Sequence, residues 1–107
     1  MLEEALGVYN RILELDPDDP DALFEKAGLL FDLDDLGGAL ACYDMILEED
    51  PKDPDALFEK GNVLFGLKRY DDAKKFYEKS LKIDPDSEDV KKNLEICLKA
   101  IEKKKKH

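Results

Sequence analysis

The sequence predicts an all-α fold, an array of about six short helices stacked in repeating units. Three observations carry that prediction. First, Pro20-Asp21-Ala22-Leu23-Phe24-Glu25-Lys26 returns letter for letter as Pro54-Asp55-Ala56-Leu57-Phe58-Glu59-Lys60, 34 residues later. Leu30-Phe31 likewise returns as Leu64-Phe65, Tyr43 as Tyr77 and Asp50-Pro51 as Asp84-Pro85. A fixed period of this size marks stacked supersecondary units rather than a globule around one central core. Second, apolar residues between the punctuation recur at spacings of three and four, the helical period. Third, Asp-Pro pairs recur at the ends of these segments, and the residue before a proline is pushed out of the helical region.

Residues 2–15 form the first expected helix, with Leu2, Ala5, Leu6, Tyr9, Ile12 and Leu13 on one face. Asp16-Pro17 stops it. On the 34-residue frame its Ala5, Tyr9 and Pro17 align with Ala39, Tyr43 and Pro51, so the chain opens on the second half of a unit, as a fragment of a longer array would. Asp19 then caps a helix over 20–32, with Pro20 in the first helical position, where its missing N–H costs nothing. That helix carries Leu23, Ala27 and Leu30 on one face. Asp34-Asp35 start a helix over about 36–49, bearing Ala39, Leu40, Tyr43, Ile46 and Leu47. Gly37-Gly38 should weaken its first turn by about 1 kcal/mol each, so that turn is expected to fray. Helices over 54–66 and 70–83 repeat the pair, with Leu57, Gly61, Leu64, Ala73, Tyr77 and Leu81 inward. Ser87 caps a last helix, about 87–104, apolar along Val90, Leu94, Cys97, Leu98 and Ile101 and lysine-rich elsewhere. Residues 105–107 are expected to be a tail, with Lys103–Lys106 and His107 fraying.

Composition narrows the function classes. Among 107 residues 41% are charged, and the formal net charge is −10 at pH 7. Mean hydropathy is −0.52, and no apolar run approaches the roughly 20 residues of a membrane span. Charge is uneven: residues 1–53 hold sixteen acids against three bases, and residues 54–107 hold eleven against fourteen. Cys42 and Cys97 sit in no metal or redox spacing, as expected of reduced thiols in a cytoplasmic protein. One terminal histidine, and acids without a preferred spacing, leave no catalytic, cofactor or metal site to assign. Asp32, Asp34 and Asp35 lack the glycine and glutamate of a calcium loop, and helix capping accounts for them better.

The pattern resembles the tetratricopeptide repeat, a 34-residue antiparallel helix pair. The residues that carry the resemblance are Leu23, Ala27, Leu30, Ala39, Tyr43 and Pro51 in one unit, and Leu57, Gly61, Leu64, Ala73, Tyr77, Ser80 and Pro85 in the next. Ile12 and Ile46 depart from the family's small residue, so looser packing is expected there. The resemblance implies a right-handed α-solenoid and a single domain: a truncated repeat over 2–17, complete repeats over 20–53 and 54–87, and a capping helix over 87–104. It further implies a non-enzymatic protein-binding scaffold whose first helices line a concave groove.

Carried onto this sequence, the groove positions include Asp21, Phe24, Phe31 and Asp32, then Asp55, Phe58, Asn62 and Phe65. The last helix adds Asp89, Lys92, Ile96 and Lys99. Phe24 and Phe31 lie two helical turns apart, as do Phe58 and Phe65, and side-by-side stacking would gather the four rings into one patch. The family's basic clamp for chaperone-tail carboxylates is not expected here: of its residues only Asn62 fits, and Asp21, Glu25, Asp55 and Glu59 would repel a carboxylate. An apolar or basic peptide or helical segment suits phenylalanine anchors and acidic rims better. Self-association is the alternative, through Leu2, Leu6 and Tyr9 on a helix without its pairing partner, giving a homo-oligomer. Nucleic acid could meet only Lys91, Lys92, Lys99 and the lysine tail, and the net charge argues against it.

Overall fold

The computed structural model describes residues 1–106, and the expected tail residue His107 lies outside the described residues. Six α-helices and no strands are present among the described residues: α1 Leu2–Leu15, α2 Pro20–Asp32, α3 Leu36–Glu49, α4 Pro54–Gly66, α5 Tyr70–Ile83 and α6 Glu88–Lys105. They form two compact units, one spanning Met1–Pro51 and the other beginning at Lys52.

In the first unit α2 packs against both α1 and α3. Asp19 caps α2, its Oδ1 accepting from the backbone N–H groups of Asp21 and Ala22 at 3.1 and 3.3 Å. Leu23, Ala27 and Leu30 are buried against Ala39, Cys42, Tyr43 and Ile46 of α3. Ala27 and Ala39 are fully buried, and with so little side chain they let the two helices approach closely. Ile46 is only 3% exposed, so the branched residue fills its site instead of loosening it.

The first turn of α3 also differs from expectation. Asp35 closes it by accepting from the Gly38 N–H at 3.0 Å. A Cβ on Gly38 would fall 2.6 Å from that carboxylate's Oδ2. Gly38 therefore makes room for the cap, which offsets the glycine's poor helix propensity.

The second unit repeats the device and adds a layer. Asp53 caps α4 as Asp19 caps α2, and α5 packs against both α4 and α6. Ala56, Leu57, Gly61, Val63 and Leu64 of α4 are buried with Ala73, Tyr77 and Ser80 of α5. The Ser80 hydroxyl donates to the carbonyl of Pro54 at 2.9 Å, so this buried polar group is satisfied. Val90 and Cys97 seat α6, and the Cys97 thiol donates to the Tyr70 carbonyl at 3.2 Å. Leu98, expected on the apolar side, is 42% exposed. α6 also continues one residue further than expected, through Lys105.

Both hairpin turns share one geometry. After α2 the N–H groups of Asp34 and Asp35 return to the carbonyls of Phe31 and Leu30, and after α4 those of Lys68 and Arg69 return to Phe65 and Leu64. Asp34 and Lys68 are left-handed, at φ 65° and 63°. This crossed pair of bonds satisfies the last free carbonyls of the helix.

Candidate functional site

In the second unit, α4, α5 and α6 enclose a small open pocket of about 170 Å³. Asn62 and Phe65 come from α4, three residues apart and so on one face. Asn93 and Ile96 come from α6 with the same spacing. Tyr77 of α5 forms the floor and is 1% exposed.

The polar groups are fixed by one another. The Tyr77 hydroxyl donates to Asn62 Oδ1 at 2.6 Å, and Asn93 Nδ2 donates to the same oxygen at 2.9 Å. Asn62 Nδ2 donates to Glu59 Oε1 at 2.9 Å. Burial, with smaller contributions from Cys97 and Glu59, pushes the Tyr77 hydroxyl far above its ordinary pKa of 10.0, so it stays a donor. Phe65 is half-buried, its ring 5.1 Å from that of Tyr70, and Ile96 is 48% exposed. Two apolar walls thus flank a pre-set amide pair. The volume lies below the roughly 300 Å³ at which small-molecule pockets begin, and suits one aliphatic side chain with the peptide group beside it.

Of the residues expected in the groove, Asn62, Phe65 and Ile96 meet here. Tyr77 was expected only as core, and Asn93 was not singled out at all. The signal for Asn93 was faint: on the 34-residue frame it aligns with Glu59, a further partner of Asn62. Phe58 is half-buried, tilted against Tyr77 with centroids 6.0 Å apart. Asp55 is exposed in the first turn of α4. Asp89, Lys92 and Lys99 are exposed on α6, and Lys99 pairs with Glu95 at 3.3 Å. In the first unit Phe24 is half-buried, edge-on to Tyr43 at 5.7 Å. Phe31 is 39% exposed, and Asp21 and Asp32 are exposed.

Leu2, Leu6 and Tyr9 are half-buried on α1, which packs on α2. The apolar residues that α1 leaves outermost are others: Val8 at 53%, Ile12 at 37% and Leu15 at 91% exposed. The repeat gives the reason. Val8 and Ile12 align with Cys42 and Ile46, which α2 covers to 6% and 3% exposure. No described helix covers that face of α1.

Models of the tetratricopeptide repeat family match residues 1–56 and residues 54–87, and the chain belongs to that family. Its members are generally non-catalytic interaction modules. No curated protein matches the chain in sequence. Among solved structures, the chain is similar to the first tetratricopeptide domain of Spaghetti (RPAP3) bound to the HSP90 peptide SRMEEVD, at TM-score 0.89 and 23% identity, over 94% of this chain and 79% of that one. It is similar to the first such domain of human RPAP3, at TM-score 0.91 and 23% identity, over 98% and 83% of the two chains. The Sgt2 domain of Aspergillus fumigatus gives TM-score 0.90 and 24% identity, over 99% and 72%. At these identities the likeness speaks for fold: in class the protein is an all-α tetratricopeptide-type solenoid. Among the described residues no helix is long and apolar enough to cross a membrane.

Proposed function

We propose that this protein is a non-enzymatic, cytoplasmic protein-interaction scaffold that binds a peptide or helical segment of a partner through the pocket between α4 and α6. The observation that carries the reading is the fixed Asn62–Asn93 amide pair between Phe65 and Ile96. An amide offers both a donor and an acceptor, the complement of a peptide group, while the apolar walls take the adjoining side chain. The Spaghetti domain holds an acidic HSP90 peptide. Here Glu59 is bonded to the pocket's own Asn62, which favours an apolar or basic segment instead. Phe58 extends the anchoring surface within the second unit, where Asp55 orients lysines or arginines on the partner; in the first unit Phe24 and Phe31, with Asp21 and Asp32, offer a like surface of their own. Lys92 and Lys99 border the pocket side of α6.

The test is titration with an N-acetylated, C-amidated peptide alternating leucine and lysine. A dissociation constant on the order of micromolar is expected, about −8 kcal/mol. An Asn93→Ala/Ile96→Ser variant should bind about tenfold more weakly, which is about 1.4 kcal/mol. Unchanged affinity in that variant, with helicity intact, would refute the pocket's role.

Self-association is a second reading, favoured by the uncovered face of α1. A second copy seated on Val8, Ile12 and Leu15, flanked by Leu2, Leu6 and Tyr9, would bury what α2 and α4 bury on α3 and α5. Light scattering across a dilution series decides, and a strict monomer at high concentration removes this reading.

A further inference from the structure

We propose that the exposed side of α5 is a second docking surface, which takes an acidic segment of a partner protein. Lys75, Lys79 and Lys82, spaced by four and three residues, share one stripe of the helix and are all exposed. None forms an ion pair among the described residues. Of the acids on their own side, Asp72 is held by Arg69 at 2.9 Å; Asp71, one turn before Lys75, and Glu78 on the flank form no ion pair with them.

Three of the seven lysines of α6 and its C-cap behave differently. Lys91 pairs with Glu88 at 3.7 Å, Lys99 with Glu95 at 3.3 Å and Lys106 with Glu102 at 3.9 Å. These three are answered by acids one turn away, whereas Lys92 and Lys103–Lys105 of α6, like the α5 stripe, are not, among the described residues. The α5 stripe differs in the aromatic ring and apolar side chain that adjoin it.

A half-buried aromatic ring, Phe76, borders the stripe. Lys79 Nζ stands 4.6 Å from the centroid of Phe76, and Lys60 Nζ of α4 stands 4.3 Å from it. The ring's negative face holds both ammonium groups in place. Ile83, 42% exposed, continues the stripe toward the end of α5. Carboxylates on an incoming segment would meet the lysines, and its apolar side chains would meet Phe76 and Ile83.

The repeat argues that the fold itself does not require this stripe. The positions of Lys75, Phe76, Lys79, Lys82 and Ile83 fall in α3 on Ala41, Cys42, Met45, Glu48 and Glu49. Where packing dictates a residue, the two units agree, as at Ala39 and Ala73 or Tyr43 and Tyr77. Here they differ in sign and size. A protein segment is the better occupant than a nucleic acid. The chain's net charge of −10 repels an extended polyanion at long range, whereas a short acidic segment touches only the stripe.

The test uses the full chain and a fluorescent peptide of repeated Glu-Glu-Leu triplets, N-acetylated and C-amidated, in low salt. Saturable binding that weakens as salt is added is expected. A Lys75→Glu/Lys79→Glu/Lys82→Glu variant should lose about tenfold or more in affinity. Should that reversal unfold the chain, the corresponding glutamine variant carries the test. An Asn93→Ala/Ile96→Ser variant should bind this peptide as the parent does. Absence of binding, equal binding by the lysine variants, loss in the pocket variant, or tighter binding of a short polyuridylate would each overturn the proposal.

Discussion

Gly61→Ala separates two forces that normally act together. By helix propensity alone, replacing a mid-helix glycine with alanine stabilises by about 1 kcal/mol. The space at Gly61 says otherwise. A Cβ there would lie 2.7 Å from Cε1 and 2.8 Å from Cδ1 of Tyr77. The ring cannot swing clear easily, since it is 1% exposed and its hydroxyl is tied to Asn62 at 2.6 Å. Overpacking of this kind costs roughly 1–3 kcal/mol, so the net change is a loss of about 1 kcal/mol.

The first repeat contains its own control. There the corresponding residues are Ala27 and Gly28, and Tyr43 stands at 76° to Phe24, whereas Tyr77 stands at 49° to Phe58. An alanine is accommodated where the next position holds no asparagine. A Gly61→Ala/Asn62→Gly double variant should therefore recover more than the single effects predict, with a coupling of at least about 0.5 kcal/mol. Urea unfolding followed by circular dichroism measures all four proteins. With a slope of roughly 1–3 kcal/mol per molar, the single Gly61→Ala variant should unfold at a midpoint lower by about 0.3–1 M. A midpoint raised by a similar amount would refute the steric account.

Two further outcomes follow from the same structure. Asp35→Ala removes the carboxylate that closes the glycine-rich start of α3, and should cost about 1 kcal/mol by denaturant unfolding; no loss would mean that this turn needs no cap. Tyr77 has a folded pKa raised above its ordinary value of 10.0, chiefly by burial. The folded state then holds this proton more tightly than the unfolded chain does, so its contribution is fully present below about pH 10 and is lost as the pH climbs through the folded value. Thermal melts should fall more steeply above that pH for the parent than for Tyr77→Phe, and parallel slopes would contradict the assignment.

Much of the scaffold was legible in the residues. The 34-residue echo, the Asp-Pro stops and the Asp-Pro-Asp starts set six helices within a residue of their observed limits, because caps and proline act over a few neighbouring atoms. Ala27, Ala39 and Ala73 were legible as close-approach positions for the same reason: a small side chain has one evident use in a helix pair.

The pocket was only half legible. Asn62, Phe65 and Ile96 could be placed on groove-facing positions by carrying over the frame. That Asn93 and Tyr77 converge on one oxygen of Asn62 could not, since it depends on how far α6 slides along α5. The outermost residues of α1 were misplaced for a related reason. Periodicity orders residues around a helix, but which side is covered depends on where its neighbour lies.

By itself, then, the sequence determined the helices, their caps and the repeating frame, all of which arise from interactions between residues close in the chain. Only the tertiary structure decided that Gly61 leaves room for a tethered Tyr77, that two distant asparagines share a pocket, and that Lys75, Lys79 and Lys82 of α5 are unpaired while Lys91, Lys99 and Lys106 are matched. Each of these turns on distances of a few ångströms between side chains on different helices or different turns, set by packing that no local pattern encodes.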